Sequence, residues 1–349
     1  QDDGSTGVLL RVDQPLWSGG RISAGIDAAK WREQANQAAS AEAREEVSLR
    51  VIAAAVEAAR QQMRARVASR NVAAHEELLG MIQRRVRQEV SPMADQRLAE
   101  SRLLASRNEL SSIEQQRRAA LTQLAQLVGA QVSAVDTDSI EAVAQGMPDG
   151  LDQAMAVALA QSPALRRIGA EIEAAAAEIQ SKKAVYLPQL SIRLESQQGK
   201  VRDNRAMLLL QAQPGAGLSA ASGVAEAVAR RESLLAQRAA LERDIDERVT
   251  LSWNEAQSAR ERTDDAERIR ATAAEVAESF ARQYTAGRKS WMDVLNAVRE
   301  ASLAELSLAD VKAQFWGAAL RLMLLTGRLP FQMEGEEHAA VVDQSSSGK

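Results

Sequence analysis

The chain has 349 residues, 46% hydrophobic and 26% charged, with no cysteine and a formal net charge of −4. That length makes one large domain or two average ones, and the absence of cysteine excludes a disulfide framework and thiolate metal sites. Lys and Arg are matched throughout by Asp and Glu, which disfavours a nucleic-acid partner, and no run reaches the roughly 18 apolar residues of a membrane helix.

The chain opens on Gln1 rather than Met and carries no charged-then-apolar leader, so it reads as a processed or trimmed product. Its first predicted element is a strand at 8–16, VLLRVDQPL. Val8, Leu10 and Val12 alternate with Arg11 and Asp13, the period-two pattern of a half-buried sheet.

A helix is predicted over 21–88. Ile26 to Leu79 contains neither Gly nor Pro and is mostly Ala, Glu, Arg, Gln, Leu and Val. Such a helix would span roughly 90–100 Å, too long for an ordinary globular helix, so coiled-coil-like packing is expected. Val47, Val51, Ala54, Ala58, Gln61, Ala65, Ala68, Val72, His75, Leu79, Ile82 and Val86 form a heptad seam. A second line runs beside it through Ile52, Val56, Ala59, Met63 and Val67. Two seams call for neighbours on two sides, as in a ring of helices. A plain two-stranded coiled coil is the simpler alternative. His75 has no second histidine near it and reads as a tolerated polar seam residue rather than a metal ligand.

Pro92 is expected to break this helix at a tip over 88–93, followed by a helix over 93–128. The acidic DTD at 136–138 reads as a solvated loop. A helix is predicted over 151–185, then strands at 187–199 and 206–215 joined by the polar VRDN at 201–204. Leu190, Ile192 and Leu194 oppose Ser191, Arg193 and Glu195. Strands of about 9–11 residues, apolar on one face and charged on the other, fit a membrane barrel. A half-buried soluble sheet is the ordinary alternative. Trp17 and Tyr186 sit at the strand ends nearest the helices, where an interfacial aromatic belt belongs. Three strands cannot close a barrel, so several chains would have to share one.

A second long helix is predicted over 224–285, a tip over 286–291 broken at Gly287, a helix over 292–326, and a disordered tail over 331–349.

The chain also repeats itself. Gln14-Pro15 matches Gln213-Pro214 at a separation of 199. Asp95 and Asp293, Leu124 and Leu322, Leu127 and Leu325, and Gly129 and Gly327 share a separation of 198. Each unit reads as strand, very long helix, tip, shorter helix and glycine stop. No phosphate-binding glycine loop, nucleophile elbow or His–acid cluster is present, which disfavours an enzyme. A soluble coiled-coil scaffold accounts for the heptads but not for the strands ahead of each long helix.

The tips VRQEVSPMADQRLA and YTAGRKSWMDVLNA, the strand start VYLPQLSIRL and the duplicated unit resemble TolC-type outer-membrane efflux and secretion proteins. The wording RKSWMDVLNAVRE is most similar to the type I secretion branch, which includes large-adhesin exporters. The resemblance covers nearly the whole chain to about residue 330. It implies a mainly α fold with a small membrane β part, in which antiparallel helical hairpins form an α-barrel. Three chains would build one twelve-stranded barrel continued by a periplasmic tunnel, with 130–150 in an equatorial belt.

Family members carry four strands, and this chain three, so a helix and strand are expected ahead of residue 1. The implied task is passage of a substrate through a tripartite export system, most closely type I secretion, or alternatively a multidrug efflux pump. Implied partners are two further copies, a periplasmic adaptor, an inner-membrane ABC exporter or proton-driven pump, and outer-membrane lipid; no cofactor or metal is implied.

By position, the resemblance places gate links at Asp95, Tyr284 and Lys289. The entrance constriction falls at Asp293 and Asn296, the latter replacing an expected aspartate, so the ring carries half the usual charge. Ser91, Pro92, Met93, Gly287, Arg288, Ser290 and Trp291 form the tips, either packed inside the hairpins or offered to an adaptor. Asp95 and Asp293 also sit where first-turn aspartates favour helix starts, and on residues alone capping and gating are both open.

Overall fold

The computed structural model describes residues 8–198, 203–212 and 217–329. In chain order the elements are strand β1 (Val8–Trp17), helices α1 (Arg21–Arg87), α2 (Met93–Val128), α3 (Thr137–Ala144), α4 (Leu151–Gln161) and α5 (Pro163–Lys183), a 3-10 turn (Ala184–Tyr186), strands β2 (Gln189–Gln198) and β3 (Asp203–Gln211), and helices α6 (Gly217–Thr285) and α7 (Trp291–Leu325). The class is the expected one: mainly helical, with long antiparallel helices and a three-stranded antiparallel sheet. No helix among the described residues is long and apolar enough to cross a membrane.

The chain divides into two compact units, and neither is one of the sequence repeats. One comprises Gln1–Ala43 with Ser162–Ile245, the other Arg44–Gln161 with Asp246–Lys349. Each therefore draws on both repeats.

In the first unit the sheet order is β1-β2-β3. Arg11 stands opposite Glu195 and Asp13 opposite Arg193 across β1 and β2, and Glu195 faces Arg205 across β2 and β3. The turn from β1 into α1 passes through Gly19 at φ 62°, where a Cβ would lie 2.8 Å from that of Leu187. The start of α1 is tied to α5 by Arg32–Glu178 at 2.9 Å and Glu42–Arg167 at 2.5 Å.

In the second unit the two seams of α1 find two neighbours. Ala54 and Ala58 pack with Ala120, Leu121 and Leu124 of α2, and Ala65 and Ala68 pack with Ile113. Rising numbers on α1 meet falling numbers on α2, so the two are antiparallel. On the other side, Arg60 and Arg64 reach Asp310 of α7 at 3.2 and 2.8 Å, and Arg70 reaches Glu305 at 2.6 Å. Alanine-rich seams bring the backbones close, and apolar burial supplies most of the stabilisation. Gln62 brackets the backbone of Val135, donating to its carbonyl at 2.8 Å and accepting from its N–H at 3.1 Å. Lys312 of α7 lies 3.4 Å from Glu141 of α3 and 3.1 Å from Glu267 of α6.

Four local features differ from expectation. The first long helix ends at Arg87 because Glu89 turns left-handed at φ 59°, not because of Pro92. Pro92 is instead the extended N-cap residue of α2. The stretch read as one helix over 151–185 breaks at Ser162, whose hydroxyl accepts from the Leu165 N–H while Pro163 takes the first helical position. Asp136 of the supposed loop caps α3, accepting from the N–H groups of Asp138 and Ser139. Finally, α6 begins at Gly217, seven positions before the expected 224. The tail at 331–349 and the Gln213-Pro214 match lie outside the described residues.

Candidate functional site

The two tips share one backbone design. At the first, Glu89 N–H donates to Val86 O and Val90 N–H to Arg85 O, both at 2.9 Å. At the second, Gly287 N–H donates to Tyr284 O at 3.0 Å and Arg288 N–H to Gln283 O at 2.9 Å. These paired bonds close a helix through one left-handed residue. The chain then re-enters a helix at Met93 and at Trp291, which places Asp95 and Asp293 at the same third position.

Their side chains then diverge. Ser290 and Asp293 form a reciprocal cap: Ser290 Oγ accepts from Asp293 N–H at 3.2 Å, and Asp293 Oδ2 accepts from Ser290 N–H at 3.0 Å. The Ser290 hydroxyl, and then its backbone N–H, hold the Asp293 carboxyl below the usual range. Pro92 supplies no side-chain cap. The half-buried Asp95 side chain has no hydrogen-bond or ion-pair partner among the described residues.

Between the tips lies an apolar cluster built from Leu78, Ile82, Ala99, Tyr284, Trp291, Val294 and Leu295. Tyr284 and Trp291 are nearly fully buried, with ring centres 5.4 Å apart and planes at 49°. This tilted contact adds to their area burial. The Tyr284 hydroxyl lies 3.3 Å from Ser91 Oγ, and Arg85 Nε donates to the same Ser91 Oγ at 3.3 Å. The Arg85 guanidinium sits 4.8 Å over the Tyr284 ring, and Lys289 Nζ 4.1 Å over the ring of Phe280. Within one chain, therefore, Tyr284 meets Ser91 and Lys289 meets Phe280, and neither meets Asp95.

Trp291 packs inside the hairpin, whereas Met93, Met292, Val90, Pro92, Gly287 and Arg288 are exposed. Asn296 is exposed and lines a cavity with Asn71 and His75. Arg85, Phe280 and Glu89 were not singled out by sequence reasoning. The separation of 198 places Glu89 opposite Gly287 and was the available signal.

The sheet of the other unit has two unlike faces. One carries the ion pairs Arg11–Glu195 at 2.8 Å, Arg193–Asp13 at 2.6 Å and Arg205–Asp203 at 2.7 Å. The other exposes Leu10, Val12, Leu194, Leu208 and Leu210, the last at 70%. Trp17 and Tyr186, close to the helices in sequence, are also exposed.

A sequence model of the family described as outer membrane efflux protein matches residues 1–130. The fold is similar to that of VceC from Vibrio cholerae, with a TM-score of 0.76 at 15% identity over 93% of this chain and 87% of that one. It is likewise similar to CusC, with a TM-score of 0.78 at 14% identity over 92% and 83%. The open MtrE outer membrane channel of Neisseria gonorrhoeae gives 0.73 at 15% identity over 93% and 79%. Over residues 1–130 the chain thus matches the sequence model of that family, and over nearly its whole length it shares the fold of these solved structures. No curated protein matches it.

Proposed function

We propose that three copies of this chain form the outer-membrane conduit of a tripartite export system whose task is type I protein secretion. The sheet carries the reading. It turns an apolar face outward, and β1 and β3 each keep one edge unpaired among the described residues. Lipid cannot satisfy such edges, so a membrane-embedded sheet must close by joining other copies. Trp17 and Tyr186 then sit at the inner interface. The tip wording RKSWMDVLNAVRE favours the secretion branch.

In that assembly the exposed tips meet a periplasmic adaptor, and an inner-membrane ABC exporter drives the cargo. Asp95, half-buried and without a partner among the described residues, takes a partner from the neighbouring copy, so the gate links at Asp95, Tyr284 and Lys289 form between subunits. Asp293 rings the entrance with Asn296, three symmetry-related carboxylates attracting cations in a narrow neck. The family description, which names efflux, supports a second reading as the outer component of a proton-driven multidrug pump.

Purification tests the reading. The full chain should require detergent, run as a trimer and conduct ions across planar bilayers; a monomeric rod in the soluble fraction would overturn it. In a deletion strain, loss of a secreted protein with unchanged drug tolerance identifies secretion, and the reverse identifies efflux.

A further inference from the structure

A polar cavity of about 260 Å³ opens between α1, α2 and α7 in the helical unit. Its floor is Asn71 and His75 of α1, its walls Arg102 and Glu109 of α2 and Asn296 and Arg299 of α7. Four observations there lack a structural use. His75 is only 8% exposed and has no hydrogen bond among the described residues. Asn71 Oδ1 is buried without a donor. Arg102 and Arg299, both exposed, line it from α2 and α7, and neither has an ion-pair partner among the described residues. Two guanidiniums stand against one carboxylate, so the lining is net positive.

We propose that this cavity binds a phosphate group, either inorganic phosphate or a phosphate monoester. Guanidinium forks match tetrahedral oxyanions bidentately. Forks presented from two separate helices suit a tetrahedral anion, whose oxygens do not lie in one plane, better than a flat carboxylate. His75 completes the cradle. Burial, and secondarily the Arg102 charge, push its pKa down in the empty cavity. An anion between Arg102 and Arg299 reverses the local field and favours the imidazolium, which then donates to it. The groups facing His75 are Arg102 and Glu109 from α2 and Arg299 from α7, so the anion is what makes the balance negative. Bound there, phosphate bridges α2 to α7 close to the tips.

The chain has two histidines, His75 and His338, so imidazole NMR on the full chain in detergent reads the site directly. Inorganic phosphate and glycerol 3-phosphate should each shift the His75 signal saturably and raise its titration midpoint by about one pH unit. The stronger of the two identifies the source. Arg102→Gln with Arg299→Gln should abolish the response, and either single variant, if the pair fails to assemble, should weaken it at least tenfold. A shift that never saturates, or one that survives these substitutions, overturns the site; an equal response to acetate overturns its assignment to phosphate.

Discussion

Glu89 and Gly287 hold the same left-handed backbone, at φ 59° and 74°, in tips that repeat at a separation of 198 residues. Only one of them is suited to it, because a side chain in that region meets its own carbonyl at a cost of roughly 1–2 kcal/mol. Glu89→Gly relieves this strain, partly offset by the ~0.5–1 kcal/mol entropy of glycine. It should raise the thermal midpoint of the tip modestly. Gly287→Ala should lower the midpoint, through a loss of about 1 kcal/mol of stability. Space is not the cause, since no atom lies within 4 Å of an added Cβ at Gly287. Calorimetry that finds the two variants shifting in the same direction would refute the shared design.

Asp293 caps the start of α7. Its carboxyl is held low by Ser290, so the folded form binds its proton less readily than the unfolded chain does. Stability from this cap is therefore complete above the unfolded pKa, near 4, and fades as pH falls through the lower folded value. Asp293→Asn should melt earlier than the parent at pH 6, and the two curves should converge as pH falls well below 4. Ser290→Ala removes the other half of the box and should cost about 1 kcal/mol. A gap between parent and Asp293→Asn that is independent of pH would deny the cap. In the trimer the same variant should weaken block by multivalent cations if Asp293 lines the neck.

Much of this was legible in the sequence and some was not, for physical reasons. Period-two alternation from Val8 to Asp13 and from Leu190 to Glu195 fixes a strand because each residue must choose a face. The spacing of Ala54, Ala58, Ala65 and Ala68 likewise defines a seam that the α2 contacts bear out. The left-handed turn at Glu89 is hidden in the sequence because glutamate rarely takes that backbone, whereas Pro92 is an overt helix breaker. The break at Ser162 is marked in the sequence by Ser162-Pro163, an N-cap followed by a proline at the first helical position, although the helix formers on either side favour one continuous helix. Tyr284 beside Trp291 is close in sequence, but Tyr284 beside Ser91 depends on how two hairpins pack, which no local pattern encodes.

Tyr284 separates structural and gating roles. Tyr284→Phe keeps the ring against Trp291 and loses only the 3.3 Å contact to Ser91, so stability should change by less than about 1 kcal/mol. If the hydroxyl also helps hold the closed end, single-channel conductance should rise, and Asp95→Ala should do the same through the subunit interface. Trp291→Ala should behave differently, costing roughly 3 kcal/mol by opening the tip core. Trp291→Phe should be far milder, since it also removes a buried indole N–H that has no acceptor. Unchanged conductance in both Tyr284→Phe and Asp95→Ala would remove these residues from the gate.

The sheet offers the sharpest contrast between its faces. Leu208 is 66% exposed on the apolar side, whereas Arg193 pairs with Asp13 on the other. If lipid covers the first face, Leu208→Arg places a guanidinium in hydrocarbon, a penalty of roughly 2–4 kcal/mol near the bilayer midplane. Three copies would multiply that penalty in one barrel, and trimers should vanish from the outer-membrane fraction. Arg193→Gln alters an exposed surface pair, which contributes little to stability. It should assemble normally and change only conductance or ion preference. Reversed outcomes, with Leu208→Arg inserting as the parent does and Arg193→Gln failing, would mean that the charged face, not the apolar one, meets the membrane.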